Sequence, residues 1–495
     1  MLAAGLQGVP VRAGDGLVSD RLVKEGRVLD AVANIRAQAE AEAEGPAKAR
    51  LLARSGHLLA YFLDLYDEAL SDYRRALSLS PGPEVEATIR FNVAMIEYER
   101  DRFAEALAAF EAYIEAFPDH ERAGTASFLA GDCRERMQSS KPRPRAKRPG
   151  MPNQGRVRVL VASGVKESIV SVGPCLEEGP ADREVSIAWA PGGLVVDGSR
   201  MREKEIILLG EDDACIRIDG ARSFRGGLAF LHRSDGIEMI NTIDIENYLR
   251  GVLAKEMLSA WPLEALKAQA VAARTFALHR MEKRASEPYD VEAGVRSQVY
   301  GGCEAETAAT DRAVAETRGE VLLYGGRFAL ASFHSNSGGH TAGAGDVWGV
   351  EVPYLKGRDD PHSLEAPKVF WTCSLGRDDL ARLFGSADAA GPGPITLAVE
   401  ERDSSGRAMS VLVSRSQSRK QIGSNLFRLD MGPGRVRSTI FSVSRKDGVF
   451  HLAGKGFGHG VGMSQWGAKR MAAEGKGYRE ILAFYYQGAA VETIE

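Results

Sequence analysis

The feature that most limits how this 495-residue chain can fold is a change of hydrophobic period across a short basic, proline-rich run. Lys141-Pro142-Arg143-Pro144-Arg145-Ala146-Lys147-Arg148-Pro149 carries five cations, three prolines and no acid. Proline fixes φ and removes a backbone donor, so the stretch 139–155 reads as an extended, solvated linker. Its cations would also suit an anionic polymer or lipid surface. Ahead of it, over 28–138, apolar residues recur at three- and four-residue spacing in an alanine-rich background, which predicts helices throughout. Behind it the period drops to two. Val157, Val159 and Val161 alternate with Arg158 and Leu160, and strands punctuated by Gly, Asp and Ser are predicted as far as Thr242. Further strands are predicted at Glu320 to Ser335 and Ile395 to Ala453. Helices are predicted at Pro262 to Lys283, near Asp378 to Phe384 and at Tyr478 to Gln487. Strands flank one dominant helix without regular βαβ alternation, so the expected architecture is a two-part chain: all-α, then α+β over 156–495.

The helical half contains an internal repeat. Tyr66-Asp67-Glu68-Ala69-Leu70, closed by Pro81, returns 37 residues later as Phe103-Ala104-Glu105-Ala106-Leu107, closed by Pro118. Tyr61 and Tyr98 keep the same offset, and a further helix from Ala123 to Met137 would cap the stack. This pattern resembles tetratricopeptide repeats, lengthened by about three residues from the usual ~34. Stacked helix pairs leave a concave face, so the resemblance implies a docking module for a protein partner, with a plain helical spacer as the alternative. The segment 1–27 is expected to be the remnant of a truncated export signal or a disordered terminus, with Ala13 before Gly14 as a candidate cleavage point.

Composition excludes several classes. With 63 Lys and Arg against 67 Asp and Glu, the net charge of −4 gives no reason to expect nucleic acid as a partner. No stretch approaches the ~18 apolar residues of a spanning helix, so no transmembrane segment is expected. The five cysteines form no CxxC pair, which argues against a zinc ribbon or a thioredoxin-type site and leaves the compartment open.

Three segments carry residue types suited to chemistry. In Ile245 to Arg280, Glu256 lies behind the apolar Gly251-Val252-Leu253-Ala254 and just before Trp261-Pro262. A carboxyl held against apolar side chains disfavours its charged form and becomes able to donate a proton near neutral pH. Composition alone does not separate it from Glu246 or Glu264. Gln269 and Arg274 are the polar residues expected at cleft-facing or buried positions of the following alanine-rich helix. In Phe328 to Trp348, His334 and His340 flank a Ser337-Gly338-Gly339 turn that would let both imidazoles converge on substrate or on zinc. Zinc needs at least one more ligand, for which Asp346, His362 and Cys303 are candidates. In Gly454 to Gln465, five glycines alternate at 454, 456, 458, 460 and 462. If extended, they would leave one bare strand face, for a ligand or for close backbone packing. The pattern meets neither GxGxxG nor GK[ST], so nucleotide binding is a poor reading.

Taken in order, VLAKEM with LKAQAVAARTFAL, QVYGG at 298–302, SFHSNSGGHT, and GHGVGMSQWGA at 458–468 followed by FYYQGA resemble the SpoIID/LytB family over 156–495. Leu258 stands where that family usually has proline. The resemblance implies a lytic transglycosylase that cleaves the N-acetylmuramic acid–N-acetylglucosamine bond of denuded peptidoglycan strands to 1,6-anhydro products. Glu256 would be its acid/base, and Gln269, Arg274, Ser337, His459 and Gln465 would position the strand. It implies no required cofactor, with zinc at His334 and His340 left open, and an exported protein of the cell envelope. LytB-type members imply the competing reading, a peptidoglycan-binding protein that recruits or activates a cell-wall amidase through the helical repeats.

Overall fold

The computed structural model describes residues 28–138, 151–174, 183–209, 214–383 and 393–494, apart from single residues and pairs within them, plus three positions ahead of residue 28. Most of the segment 1–27 and the linker residues 139–150 therefore lie outside the described residues.

The N-terminal region is helical, as its apolar spacing predicts: α1 (Val28–Ala41), α2 (Pro46–Leu63), α3 (Tyr66–Ser78), α4 (Pro83–Glu99), α5 (Phe103–Ala116) and α6 (Ala123–Gln138). The helices α3 and α5 begin at the two aromatic residues of the 37-residue repeat. Pro83 opens α4, where its missing N–H costs nothing. Gly56 on α2 lets the Tyr73 ring of α3 come so near that an added Cβ would lie 2.8 Å from Cε1. The buried Asp72 joins three helices, accepting from Arg36 at 3.0 Å and from Ser55 at 2.6 Å. Edge-on aromatic packing of Phe91 against Phe110 and Tyr113 closes the second half of the stack.

The region after the linker is built from mixed sheets. A five-stranded sheet runs in the order Val291–Glu292, Arg156–Val165, Ile237–Asp244, Gly227–His232, Glu205–Leu209, parallel only at the first pair. A six-stranded antiparallel sheet is built around Glu167–Pro174 and Arg183–Ala190. Two helices follow the first sheet: α7 (Ile245–Glu256) and α8 (Leu263–Lys283). The α8 helix has the expected extent, with Pro262 at its N-cap rather than its first turn. The sequence pattern did not predict α7. Gly251 sits at its centre, and the helix is held instead by Asp244, which accepts from the N–H groups of Glu246 and Asn247. That glycine is required because the Tyr300 ring lies where its Cβ would be, at 2.5 Å.

Residues 370–455 enclose a separate core that includes Trp371, Leu375, Leu397, Val411, Phe427, Phe441 and Leu452. It is made of two three-stranded sheets and two short helices: Arg377–Ala381, where one was predicted near Asp378 to Phe384, and Ser424–Asp430, which periodicity did not predict. The helical region touches both parts of the α+β region: Arg327 donates to Tyr66 Oη at 3.0 Å and Asn425 to Asp30 at 3.0 Å.

The alternating glycines do not form the flat strand face. The strand Val449–Lys455 ends at their start, and Gly456, Gly458, Gly460 and Gly462 all have positive φ, from +72° to +115°. An added Cβ would strike His334 Cβ from Gly458 at 2.7 Å and Arg407 Cζ from Gly460 at 2.5 Å. Of the two uses considered for the glycines, close packing is the one observed. Among the cysteines, Cys215 is disulfide-bonded, whereas Cys303, whose Sγ lies 2.8 Å from the Cys215 sulfur, is a free thiol.

Candidate active site

Glu256 is the last residue of α7, placed by a helix whose inner face (Tyr248, Leu249, Val252, Leu253) is buried against the sheet. The QVYGG segment runs behind it. Tyr248 Oη donates to Gln298 at 3.1 Å, Tyr300 Oη to Asn241 at 2.9 Å, and Gly301 N to Gly251 O at 2.9 Å. These contacts aim the backbone N–H of Val299 at Glu256 Oε1, at 2.9 Å. On the other oxygen, Gln465 Nε2 stands 3.5 Å from Glu256 Oε2 and 3.5 Å from Gln269 Oε1. Burial raises the Glu256 pKa above that of an ordinary glutamate, against the smaller lowering effects of the Val299 N–H and Gln465. No other carboxylate shares its hydrogen bonds among the described residues. Of the sequence-predicted site residues, Glu256, Gln269 and Gln465 thus come together, and Gln269 Nε2, fully buried beside them, has no hydrogen-bond partner among the described residues.

Gln465 opens the helix α9 (Gln465–Ala473), capped by Ser464, whose Oγ accepts from Gly467 N and from Ser337 N. Ser337 therefore reaches the far side of this helix start rather than Glu256. Its Oγ donates to Asp360 at 2.7 Å, and Tyr485 Oη bonds the second oxygen of Asp360 at 3.1 Å. Burial raises the pKa of Asp360 too. Asp360 and Tyr485 escaped sequence reasoning, although Tyr485 falls within the FYYQGA block.

The histidines sit on the glycine ribbon. His459 Nδ1 accepts from Val461 N at 3.1 Å, so Nε2 carries the hydrogen and donates to Phe333 O at 3.1 Å. Burial pushes its pKa down to about 3. His334 lies 5.5 Å from it, ring to ring, donates from Nδ1 to Val461 O, and is likewise held neutral by burial. Neither is an imidazolium near neutral pH: each keeps a single ring N–H. His340 faces elsewhere, towards Thr341 O and Asp359. His362 pairs with Glu474 at 3.0 Å, and Cys303 lies against Cys215. No three His, Cys, Asp or Glu side chains gather as a metal site among the described residues. Among the described residues the candidate donors face separate neighbours and do not converge, although His334 Nε2 is buried without a partner there.

Arg274 does not join the Glu256 group. It is fully buried in α8, forked onto Glu246 at 2.9 and 2.7 Å, with its remaining N–H groups on the carbonyls of Glu320 and Val314. The pair also uses up Glu246, while Glu264 is taken by Lys267 and Tyr478 N. Glu256 is the one of the three that keeps an oxygen beside movable side-chain amides. A buried arginine of the second core, Arg407, braces the histidine turn by donating to Ser337 O at 2.5 Å and His340 O at 2.8 Å. No motif marked it.

A family described as stage II sporulation protein (SpoIID) matches residues 233–324, which contain α7, α8 and the QVYGG segment. A second, described as a domain of unknown function, matches residues 370–462, the region of the separate core. A protein described as uncharacterised from Brachyspira hyodysenteriae is 38% identical over 54% of this chain and 72% of its own length. An amidase enhancer from Bacillus subtilis is 31% identical over 50% of this chain but only 40% of its own length. Stage II sporulation protein D from Bacillus amyloliquefaciens is 31% identical over 52% of this chain and 76% of its own.

Proposed function

This chain belongs to the stage II sporulation protein D family, and from that membership and the half-buried carboxyl of Glu256 we propose that it is a peptidoglycan lytic transglycosylase. The observation that carries the reading is a single carboxyl with a raised pKa, fixed by Val299 N–H on one side and flanked by the Gln465 and Gln269 amides on the other. Glycosidases that use water or a covalent intermediate need two carboxylates flanking the bond. A transglycosylase that uses the sugar's own hydroxyl needs one. Protonated Glu256 donates to the glycosidic oxygen between N-acetylmuramic acid and N-acetylglucosamine as the C1–O bond breaks. The carboxylate left behind then takes the proton of the muramic 6-hydroxyl as that oxygen bonds to C1, which closes the 1,6-anhydro ring and restores the acid. Gln465 and Gln269 orient the strand. Ser337 and His459 hold the turn and ribbon that wall the cleft, and Arg274 acts through α8. The reaction draws on no cofactor. Its substrate places the protein in the cell envelope, outside the cytoplasm; among the described residues no helix is long and apolar enough to cross a membrane.

The test is Glu256→Gln on amidase-treated sacculi, with soluble products read by mass. Release of peptide-free saccharides ending in 1,6-anhydro-muramic acid should fall roughly a hundredfold to ten-thousandfold, the usual weight of a general acid. Undiminished release would end the proposal. The similarity to the amidase enhancer favours a second reading, in which the cleft grips glycan and the helical region, read as tetratricopeptide-like, recruits or activates an amidase. In that case Glu256→Gln would leave amidase stimulation intact.

A further inference from the structure

The helix that begins with Gln465 carries a cation that forms no salt bridge among the described residues. Lys469 lies on α9, one turn after Trp466, and its ammonium sits 4.5 Å from the Trp466 ring centroid and 5.3 Å from that of Trp261. The two indoles are 4.8 Å apart, centroid to centroid, and inclined at 59°. Trp466 is the neighbour of Gln465, which contacts the Glu256 carboxyl, and Trp261 follows Glu256 by five residues. All three side chains are partly exposed, so the ammonium is held on its aromatic side and open on another.

The acids nearby in the chain are committed elsewhere. Glu474 and Glu365 pair with Arg470, Glu480 with Lys476, and Glu264 with Lys267. Among the described residues Lys469 makes no salt bridge. Indole faces hold an ammonium through the ring quadrupole while leaving its hydrogens for an anion. They also restrain a side chain that would otherwise lose much rotamer freedom on binding.

We propose that Lys469, positioned by Trp261 and Trp466, is a specificity-determining residue that pairs with a carboxylate of the glycan strand next to the scissile bond. The carboxylate is the lactyl group of muramic acid. That group is an anion only when no peptide is joined to it, because the peptide linkage converts it to a neutral amide. Lys469 thereby distinguishes a strand freed of peptide from one that carries it. This inference rests on the glycan reading of the Glu256 site and assigns the residue that selects the substrate there.

The experiment compares strands from amidase-treated sacculi with the same strands after their lactyl carboxyls are coupled to methylamine. Affinity is measured by sedimentation with full-length Glu256→Gln protein, and anhydro product with the parent. The Glu256→Gln protein should bind the uncoupled strands about tenfold more tightly, the scale of a hydrogen bond to a charged group. Adding Lys469→Met should remove that preference by weakening only the uncoupled strands, and Lys469→Arg should retain it. Equal binding of both strands, or a preference that survives Lys469→Met in a protein with unchanged circular dichroism, overturns the proposal. Anhydro product formed without any preference would sink this inference alone. A Lys469-dependent preference without anhydro product would sink the transglycosylase reading and leave this one standing.

Discussion

Replacing Arg274 by methionine tests whether that residue serves the substrate or the fold. The guanidinium is fully buried and donates four hydrogen bonds: two to Glu246, at 2.9 and 2.7 Å, and one each to Glu320 O and Val314 O, at 3.0 and 3.4 Å. Methionine fills much of the volume and supplies none of them. Glu246 is then left as a buried carboxylate with only the Gly319 N–H, at 3.2 Å, and its own helix start for compensation. Removing one member of such a pair costs about 3–5 kcal/mol, most of it the penalty of the stranded charge. Replacing both partners, as Arg274→Met with Glu246→Leu, should recover most of that loss, because no buried charge remains. Urea unfolding of the parent, both single variants and the double variant provides the cycle, with binding to denuded strands measured on each folded protein. The reasoning fails if Arg274→Met unfolds within about 1 kcal/mol of the parent, or if it keeps its stability and loses its glycan affinity.

Further outcomes follow from the same contacts. Burial raises the Glu256 pKa, so the folded chain binds that proton more tightly than the unfolded chain. The resulting stabilisation is complete below the unfolded carboxyl's pKa and is lost as pH rises through the raised folded value. Anhydro-product formation should therefore fall on the alkaline side of that value, and Glu256→Gln should gain thermal stability relative to the parent as pH increases; a flat difference between the two melting curves would contradict this. Gly460→Ala combines a φ of +90° with a Cβ placed 2.5 Å from Arg407 Cζ, whereas Gly432→Ala, at +94°, meets nothing within 4 Å. Backbone strain alone costs about 1–3 kcal/mol, so both should melt lower, Gly460→Ala by clearly more; equal losses would remove Arg407 from the argument. Dialysis against a chelator should leave the anhydro-product yield unchanged, because His334 and His340 face different neighbours; restoration by zinc of a lost yield would show otherwise.

The amino-acid sequence by itself determined the division of the molecule. Periods of three to four before residue 139 and two after residue 155 are local properties, since one helix or strand face must be apolar wherever it packs. The repeat's aromatic residues marked the starts of α3 and α5 for the same reason. Glu256 was singled out by the order of the motif blocks, because its apolar neighbours alone did not separate it from Glu246 or Glu264.

Only the tertiary structure decided which polar groups meet. Arg274 finds Glu246 across 28 residues and Gln465 finds Glu256 across 209, and no local pattern encodes a partner that distant. The alternating glycines look like a strand in one dimension. They take positive φ because His334 and Arg407, brought by other segments, occupy the space a Cβ would need. Asp360 and the Trp261–Lys469–Trp466 cluster are invisible in sequence on the same ground. A side chain's chemistry is its own, but its burial, its charge partner and so its function are set by whatever the rest of the chain packs around it.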